Sequence, residues 1–219
     1  MQSFIANNQI YQSLIKYRLS TINLISSMKL VIDAYGIKGL YYVENYLSKS
    51  EIDMIMGNIK NSIKFEHIYN AKSRRVAHYG YYYSYNRSGL NPAPPIPNYL
   101  ADLVCPNRIS EIFDQDQSQS QPQPTTIFDQ LIINEYHPNQ QIAPHIDHVK
   151  QFGPIIACIS IGQDVPITFS NGQSTDININ IKSGSIYIMT GDARYKYKHS
   201  LKNTGNSTRY SLTYRTAIK

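Results

Sequence analysis

At 219 residues the chain has room for one domain with a substantial core, and 42% hydrophobic against 16% charged residues excludes a disordered polymer. A formal charge of +6 and a pI near 9.1 suit a polyanionic partner. Two cysteines, Cys105 and Cys158, are too few for a disulfide framework, and no apolar run reaches membrane-spanning length, so a cytoplasmic or nuclear protein is expected.

The charge is uneven along the chain. From Lys150 onward there are nine Lys/Arg against three acids, whereas 101–149 holds one Arg against seven acids.

In chain order, Ile10, Leu14, Ile15, Leu19, Ile22 and Ile25 recur at broadly helical spacing and predict a helical extension over 1–37, packed against a single domain at 38–219. Gly39 to Tyr46 reads as a strand. Ser48 then caps a helix, with Glu51 three residues on completing a capping-box pattern and Ile52, Ile55, Ile59 and Ile63 forming its buried stripe. Arg74 to Tyr85 (RRVAHYGYYYSY) alternates enough for a strand or hairpin. Pro92, Pro94, Pro95 and Pro97 cannot sit inside a sheet and predict an extended loop, followed by a helix over Asn98–Phe113. The run 114–126 (DQDQSQSQPQPTT) has no hydrophobe to bury and predicts a mobile surface loop.

From Ile127 the pattern changes to eight short β segments separated by turns, with Asn171-Gly172 as a hairpin signal. The fold expected is α+β, a double-sheet jelly-roll core with flanking N-terminal helices. Cys158, inside the apolar run PIIACISI, should pack as a small hydrophobe.

His145 and Asp147 form a His-x-Asp pair, which on an extended segment projects an imidazole and a carboxylate to one side. That is two thirds of a facial triad, the ligand set that holds non-heme Fe(II) with open positions, and His199 is the candidate third ligand. His148 would point to the opposite face of a regular strand, His137 precedes a proline in a turn, and His67 and His78 are given no metal role. In RYSLTYR, period-two alternation puts Arg209, Ser211, Thr213 and Arg215 on one face and Tyr210, Leu212 and Tyr214 on the other. Paired guanidiniums on one face suit a dicarboxylate, because each planar fork grips a carboxylate bidentately.

The ordered set Asn134-x-Tyr136, His145-x-Asp147, His199 and Arg209-x5-Arg215 resembles the AlkB family of Fe(II)/2-oxoglutarate dioxygenases over Gly39 to Arg215. RRVAHYGYYYSY, followed by NPAPPIPNYLADL, is similar to the branch of that family that hydroxylates a wobble-uridine modification in transfer RNA.

The resemblance implies the double-stranded β-helix fold and a catalytic iron held by His145, Asp147 and His199. It also implies 2-oxoglutarate held by Arg209 at its distal carboxylate with Asn134 and Tyr136, by Arg215 near the chelating end, and with Ser211 beside it; O2 is the co-substrate. Ser211 stands where the bacterial founder of the family has asparagine, and Ser200 where glycine often follows the distal histidine. Arg74, Arg75, His78, Tyr79 and Tyr81, with Tyr82 and Tyr83, fall where the family places its nucleotide-recognition lid, and Arg194 and Tyr195 match a family position near the metal. The substrate so implied is a modified base in nucleic acid, RNA ahead of DNA. Alkylated-DNA repair, protein hydroxylation and non-catalytic nucleic-acid binding are the alternatives, with a monomer as default.

Overall fold

The structure, a computed structural model, describes residues 29–70, 72–83, 89–116 and 127–219. Most of the predicted helical extension (1–28) and most of the low-complexity run (117–126) lie outside the described residues. From Lys29 the chain enters as an edge strand β1 (Lys29–Val31) and a single 3-10 turn (Ala34–Gly36).

Strand β2 (Leu40–Glu44) leads into helix α1 (Lys49–Asn61). The helix starts at Ser48, whose backbone N–H donates to Glu51 Oε2 at 2.7 Å while its hydroxyl accepts from the Glu51 N–H at 3.3 Å. Then come β3 (Glu66–His67), β4 (Arg75–Tyr79), and a small ribbon of β5 (Tyr81–Tyr83) and β6 (Leu90–Pro92). Pro92 is thus accommodated at the end of a two-stranded ribbon, outside both main sheets.

The helix expected over Asn98–Phe113 is in fact broken. It comprises α2 (Asn98–Ala101), a 3-10 turn (Asp102–Val104) and α3 (Pro106–Phe113). Pro106 has no N–H to continue the ladder and forces Cys105 to an extended ψ of 152°, so it opens a new helix.

The eight predicted β segments are β7 (Gln130–Tyr136), β8 (Gln141–His145), β9 (Phe152–Gly162), β10 (Val165–Ser170), β11 (Ile177–Ile181), β12 (Ile186–Met189), β13 (Lys198–Lys202) and β14 (Arg209–Ala217). A five-residue helix, α4 (Gly191–Tyr195), precedes β13. Asn171-Gly172 does mark a hairpin, β10 to β11, but the loop is six residues long. Asn171 Oδ1 accepts from the backbone of Gln173 and Ser174, and Gly172 takes φ +72°, so the pair opens an Asx turn.

The strands form a large sheet, in order β1-β2-β12-β9-β14-β7-β4-β3, facing a smaller one, β11-β10-β13-β8. Every pairing is antiparallel. This is the jelly-roll core expected.

Period-two alternation explains its layering. On β9, Ala157, Ile159 and Ile161 join the core under the helices, with Ile55 of α1, Leu100 of α2 and Ile109 of α3. Ile156 and Cys158 face the other way and meet Ile167, Phe169 and Ile179 of the small sheet. β14 divides as its sequence predicts: Tyr210, Leu212 and Tyr214 lie in the helix-side core, while Ser211, Thr213 and Arg215 line the space between the sheets. Its central position, between β9 and β7, leaves both faces buried.

Candidate metal centre

The site begins with two strands of the small sheet. β8 and β13 pair so that His145 and His199 stand directly opposite each other, with ring centroids 4.3 Å apart. β8 ends at His145, and the chain turns through 146–151 before β9, which brings Asp147 Oδ2 to 3.6 Å from His199 Nε2. One ligand atom each from His145, Asp147 and His199 lies within 4.8 Å of the others. The turn also corrects the expectation for His148. Because the strand ends at His145, alternation no longer applies and His148 lines the cavity.

The three donors suit a divalent first-row metal. Asp147 is 7% exposed; its Oδ1 accepts from Arg215 Nη2 at 2.5 Å, while its Oδ2 has no hydrogen-bond partner among the described residues. Burial by itself pushes the Asp147 carboxyl up, but the Arg215 guanidinium, first among the charges around it, holds it well below the usual carboxylate range. Burial, reinforced by His145, pushes His199 down to about 3, so at neutral pH its ring keeps the lone pair a metal needs. His145 Nδ1 lies 2.8 Å from the Ala143 carbonyl, and in the tautomer that donates there Nε2 is left as the ligand. Two imidazoles and one carboxylate oxygen are the N,N,O donor set that a facial triad requires.

A cavity of about 350 Å³ opens beside these ligands. Asn134, Tyr136, Ser211 and Arg215 all line it, as does Tyr187. Arg209 is fully buried just behind this wall. Its Nε donates to Ser160 Oγ at 3.1 Å, its guanidinium carbon lies 5.6 Å from the Tyr136 ring centroid, and Nη1 and Nη2 have no hydrogen-bond partner among the described residues. Such a buried, half-satisfied guanidinium is costly unless an anion completes it. The donor set at this end therefore fits the carboxylate of 2-oxoglutarate. Ser211 Oγ lies 2.9 Å from Cys158 Sγ, so Cys158 has a polar neighbour as well as its place in the core.

The lid candidates divide between the two faces of the sheet. Arg74 lines the cavity, donating from Nε to Asn134 Oδ1 at 3.0 Å. Arg75, one residue on, faces the other side and pairs with Glu135 at 2.5 Å. His78 pairs across β4 and β7 with Ile132, a cavity residue, and burial followed by the Arg215 charge pushes its ring down to about 4. Tyr79 packs against the helix-side core, and the Tyr81 carbonyl accepts from Gln130 Nε2 at 3.4 Å. Neither is on the cavity wall, whereas Tyr83 is. Arg194, 1% exposed, is turned into the protein, and Tyr195 is 45% exposed at the surface.

Several site residues gave no motif signal. Phe152 sits under the Arg215 guanidinium at 4.7 Å, and Gln130 Oε1 accepts from Arg215 Nη1 at 3.1 Å. Tyr69, 75% exposed, lines the cavity from the loop between β3 and β4. Strand register places Phe152 and Gln130, and the loop path places Tyr69.

The 2OG-Fe(II) oxygenase superfamily model matches residues 39–215. The chain is 28% identical over 171 residues to the macaque (Macaca fascicularis) protein described as "tRNA (carboxymethyluridine(34)-5-O)-methyltransferase ALKBH8", covering 74% of this chain and 24% of that protein. It thus spans about a quarter of the length of this relative. An uncharacterized protein of Acanthamoeba polyphaga mimivirus is 27% identical, covering 85% of this chain and 88% of its own. Among solved structures, OsALKBH1 superposes with a TM-score of 0.67 at 16% identity, over 81% of this chain and 96% of that one, a likeness of fold. With the family match spanning the β core and both arginines, the chain belongs to the 2OG-Fe(II) oxygenase superfamily, as a dioxygenase that uses Fe(II) and 2-oxoglutarate and has its relatives in the AlkB family.

Proposed function

We propose that this dioxygenase oxidises a modified base in nucleic acid, with RNA, and transfer RNA in particular, ahead of alkylated DNA. The observation that carries this reading is the composition of the cavity's open side. Exposed Tyr69, with the partly buried Tyr83 and Arg74, lines the same cavity as His145, Asp147 and His199. A base must leave its stack to reach such a site, and aromatic faces repay that at about 1–3 kcal/mol per stacked base. The excess of six positive charges and the likeness to a longer protein named for a transfer-RNA uridine support the same substrate class.

In this reading His145, Asp147 and His199 hold the metal. Arg209 receives the distal carboxylate of 2-oxoglutarate beside Tyr136 and Asn134, and Arg215 with Ser211 stands at the other end. Bound together, Fe(II) and 2-oxoglutarate let O2 hydroxylate a substrate C–H bond, with succinate and CO2 released.

The chain's own contribution is placement and exclusion. Arg215 occupies Asp147 Oδ1, so that Oδ2, without a hydrogen bond among the described residues, would be the oxygen to hold the metal. Ile132, Ile167, Met189 and Leu201 give the cavity a dry wall. Arg74, held over Tyr136 with 5.8 Å between guanidinium carbon and ring centroid, presents a cation to the substrate side. Arg75 and Tyr79 lie on the opposite face of β4 from Arg74 and His78.

The test is succinate formation with iron-loaded protein against methylated RNA, methylated DNA and wobble-modified transfer-RNA stem-loops, with Asp147→Ala as control. Turnover on an RNA substrate, lost in the control, is expected. Activity confined to methylated DNA would reverse the ranking, and turnover only with peptides would end the nucleic-acid reading. Formaldehyde release identifies an N-methyl target, and a retained hydroxyl identifies a methylene.

A further inference from the structure

On the reading of His145, Asp147 and His199 as metal ligands, we propose that Arg194 is the positioning residue for the metal-binding carboxylate. Asp147 does not sit on a strand. It lies in the connection 146–151 between β8 and β9, the kind of segment that is ordinarily the loosest part of a sheet protein. A ligand there needs something to hold its backbone.

Arg194 does this with three donors at once. Nη1 donates to the Asp147 carbonyl at 2.8 Å, Nη2 to the Phe152 carbonyl at 3.3 Å, and Nε to the Gly153 carbonyl at 3.3 Å. The guanidinium therefore bridges both ends of the connection, from the metal-binding residue to the first two residues of β9. It also fixes Phe152, whose ring lies beneath Arg215, the residue paired with Asp147.

The clamp is itself anchored. Arg194 lies in the last turn of helix α4, whose Ala193 N–H donates to the Lys38 carbonyl at 3.0 Å, and Thr190 N–H just ahead of the helix donates to the Gly39 carbonyl at 2.8 Å. The hold on Asp147 thus runs to the start of β2 in the large sheet. All three hydrogen-bond acceptors are carbonyls; no carboxylate is among them, as there would be in an ordinary structural ion pair. Only a planar fork meets three carbonyls in this way, and a lysine ammonium of similar charge does not.

The test is Co(II) titration of the full chain, followed by the visible absorption of the bound ion, which reports ligand geometry independently of turnover. Wild type, Asp147→Ala, Arg194→Met, Arg194→Lys and Ile55→Val, a core variant on the buried face of α1, are compared, with thermal stability measured in parallel. Arg194→Met is expected to weaken Co(II) binding by about 10–100-fold and to alter the bands, as loss of a group orienting a ligand does. Arg194→Lys is expected to recover only part of this, and Ile55→Val to bind as wild type does despite lower stability.

Wild-type binding in Arg194→Met, or full recovery by lysine, would overturn the clamp. If Arg194→Met does not fold, Arg194→Lys decides alone, since equality with wild type overturns the idea and a measurable loss with altered bands supports it. The two readings fail separately. If the ligand set is wrong, wild type itself binds no Co(II) and the clamp falls with it; if only the clamp is wrong, wild type binds, Asp147→Ala does not, and the Arg194 variants match wild type.

Discussion

Arg215→Met is the perturbation that most directly separates a metal site from an ordinary buried ion pair. Methionine keeps most of the side chain's length and apolar contact with Phe152 but removes the donor that meets Asp147 Oδ1 at 2.5 Å and the one that meets Gln130 Oε1 at 3.1 Å. Both partners are buried, the side chains of Arg215 and Asp147 being 9% and 5% exposed. Removing one member of such a pair leaves an uncompensated carboxylate, at a cost of about 3–5 kcal/mol, with protonation of that carboxylate setting the ceiling.

For a chain of this size each kcal/mol moves the melting temperature by about 2–4 °C, so the metal-free variant should melt roughly 6–20 °C below wild type. A divalent cation held by Asp147 would replace much of the lost positive charge. Urea denaturation with EDTA and with excess Co(II) should therefore give a large stability difference in EDTA and a much smaller one with metal. The same loss under both conditions, or a loss below about 1 kcal/mol in EDTA, would refute the coupling of Arg215 to a metal through Asp147.

Three further outcomes are expected elsewhere in the molecule. Glu51 caps α1 and binds Arg108 Nη1 at 2.6 Å; burial raises its pKa, but the Arg108 and Ser48 hydrogen bonds prevail and hold it below its ordinary 4.5. Its stabilisation is therefore complete above that pH and lost as pH falls further, so Glu51→Gln should cost about 1–2 kcal/mol at pH 7 and flatten the acid limb in urea titrations. For His78, burial and then the Arg215 charge lower the ring from 6.5 to about 4, so between those values the unfolded chain takes up a proton that the folded one refuses. Stability should fall as pH drops through that window and level off below it, and His78→Gln should remove up to about 3 kcal/mol of the fall, checked by denaturation between pH 7 and 4. Gly39 has φ +80°, and a Cβ there would meet the Thr190 carbonyl oxygen at 2.5 Å. Gly39→Ala should cost about 1–3 kcal/mol by thermal denaturation and weaken Co(II) binding too, because the displaced Thr190 precedes the helix that carries Arg194.

The parts of this molecule legible in its sequence are those set by local periodicity. The Ser48–Glu51 cap, the eight β segments after Ile127 and the division of β14 into a tyrosine face and an arginine face all follow from spacing alone. What sequence does not carry is register and side-chain direction. Arg74 and Arg75 are equivalent in sequence, yet β4 pairs Arg75 with Glu135 on one face and leaves Arg74 on the cavity wall. Arg194 stands five residues before His199 and resembles a substrate contact, but the short α4 turns it inward to three carbonyls. His148 escapes the alternation rule because β8 ends three residues before it, and the 98–113 helix divides because Pro106 has no N–H to give.

The alternation on β14 also dictates how this strand can change over time. Point replacements on its tyrosine face act mainly on how the helices seat, and those on its arginine face act on the cavity and on the buried pairs made there. Loss or gain of a single residue within it would do neither gradually. It would reverse the facing of every residue on one side of the change, carrying a guanidinium toward the helices and aromatic or aliphatic side chains toward the cavity, so that core and binding site are disturbed together. Drift in this strand should therefore proceed by exchange of side chains at constant length, while the connections around it remain free to lengthen.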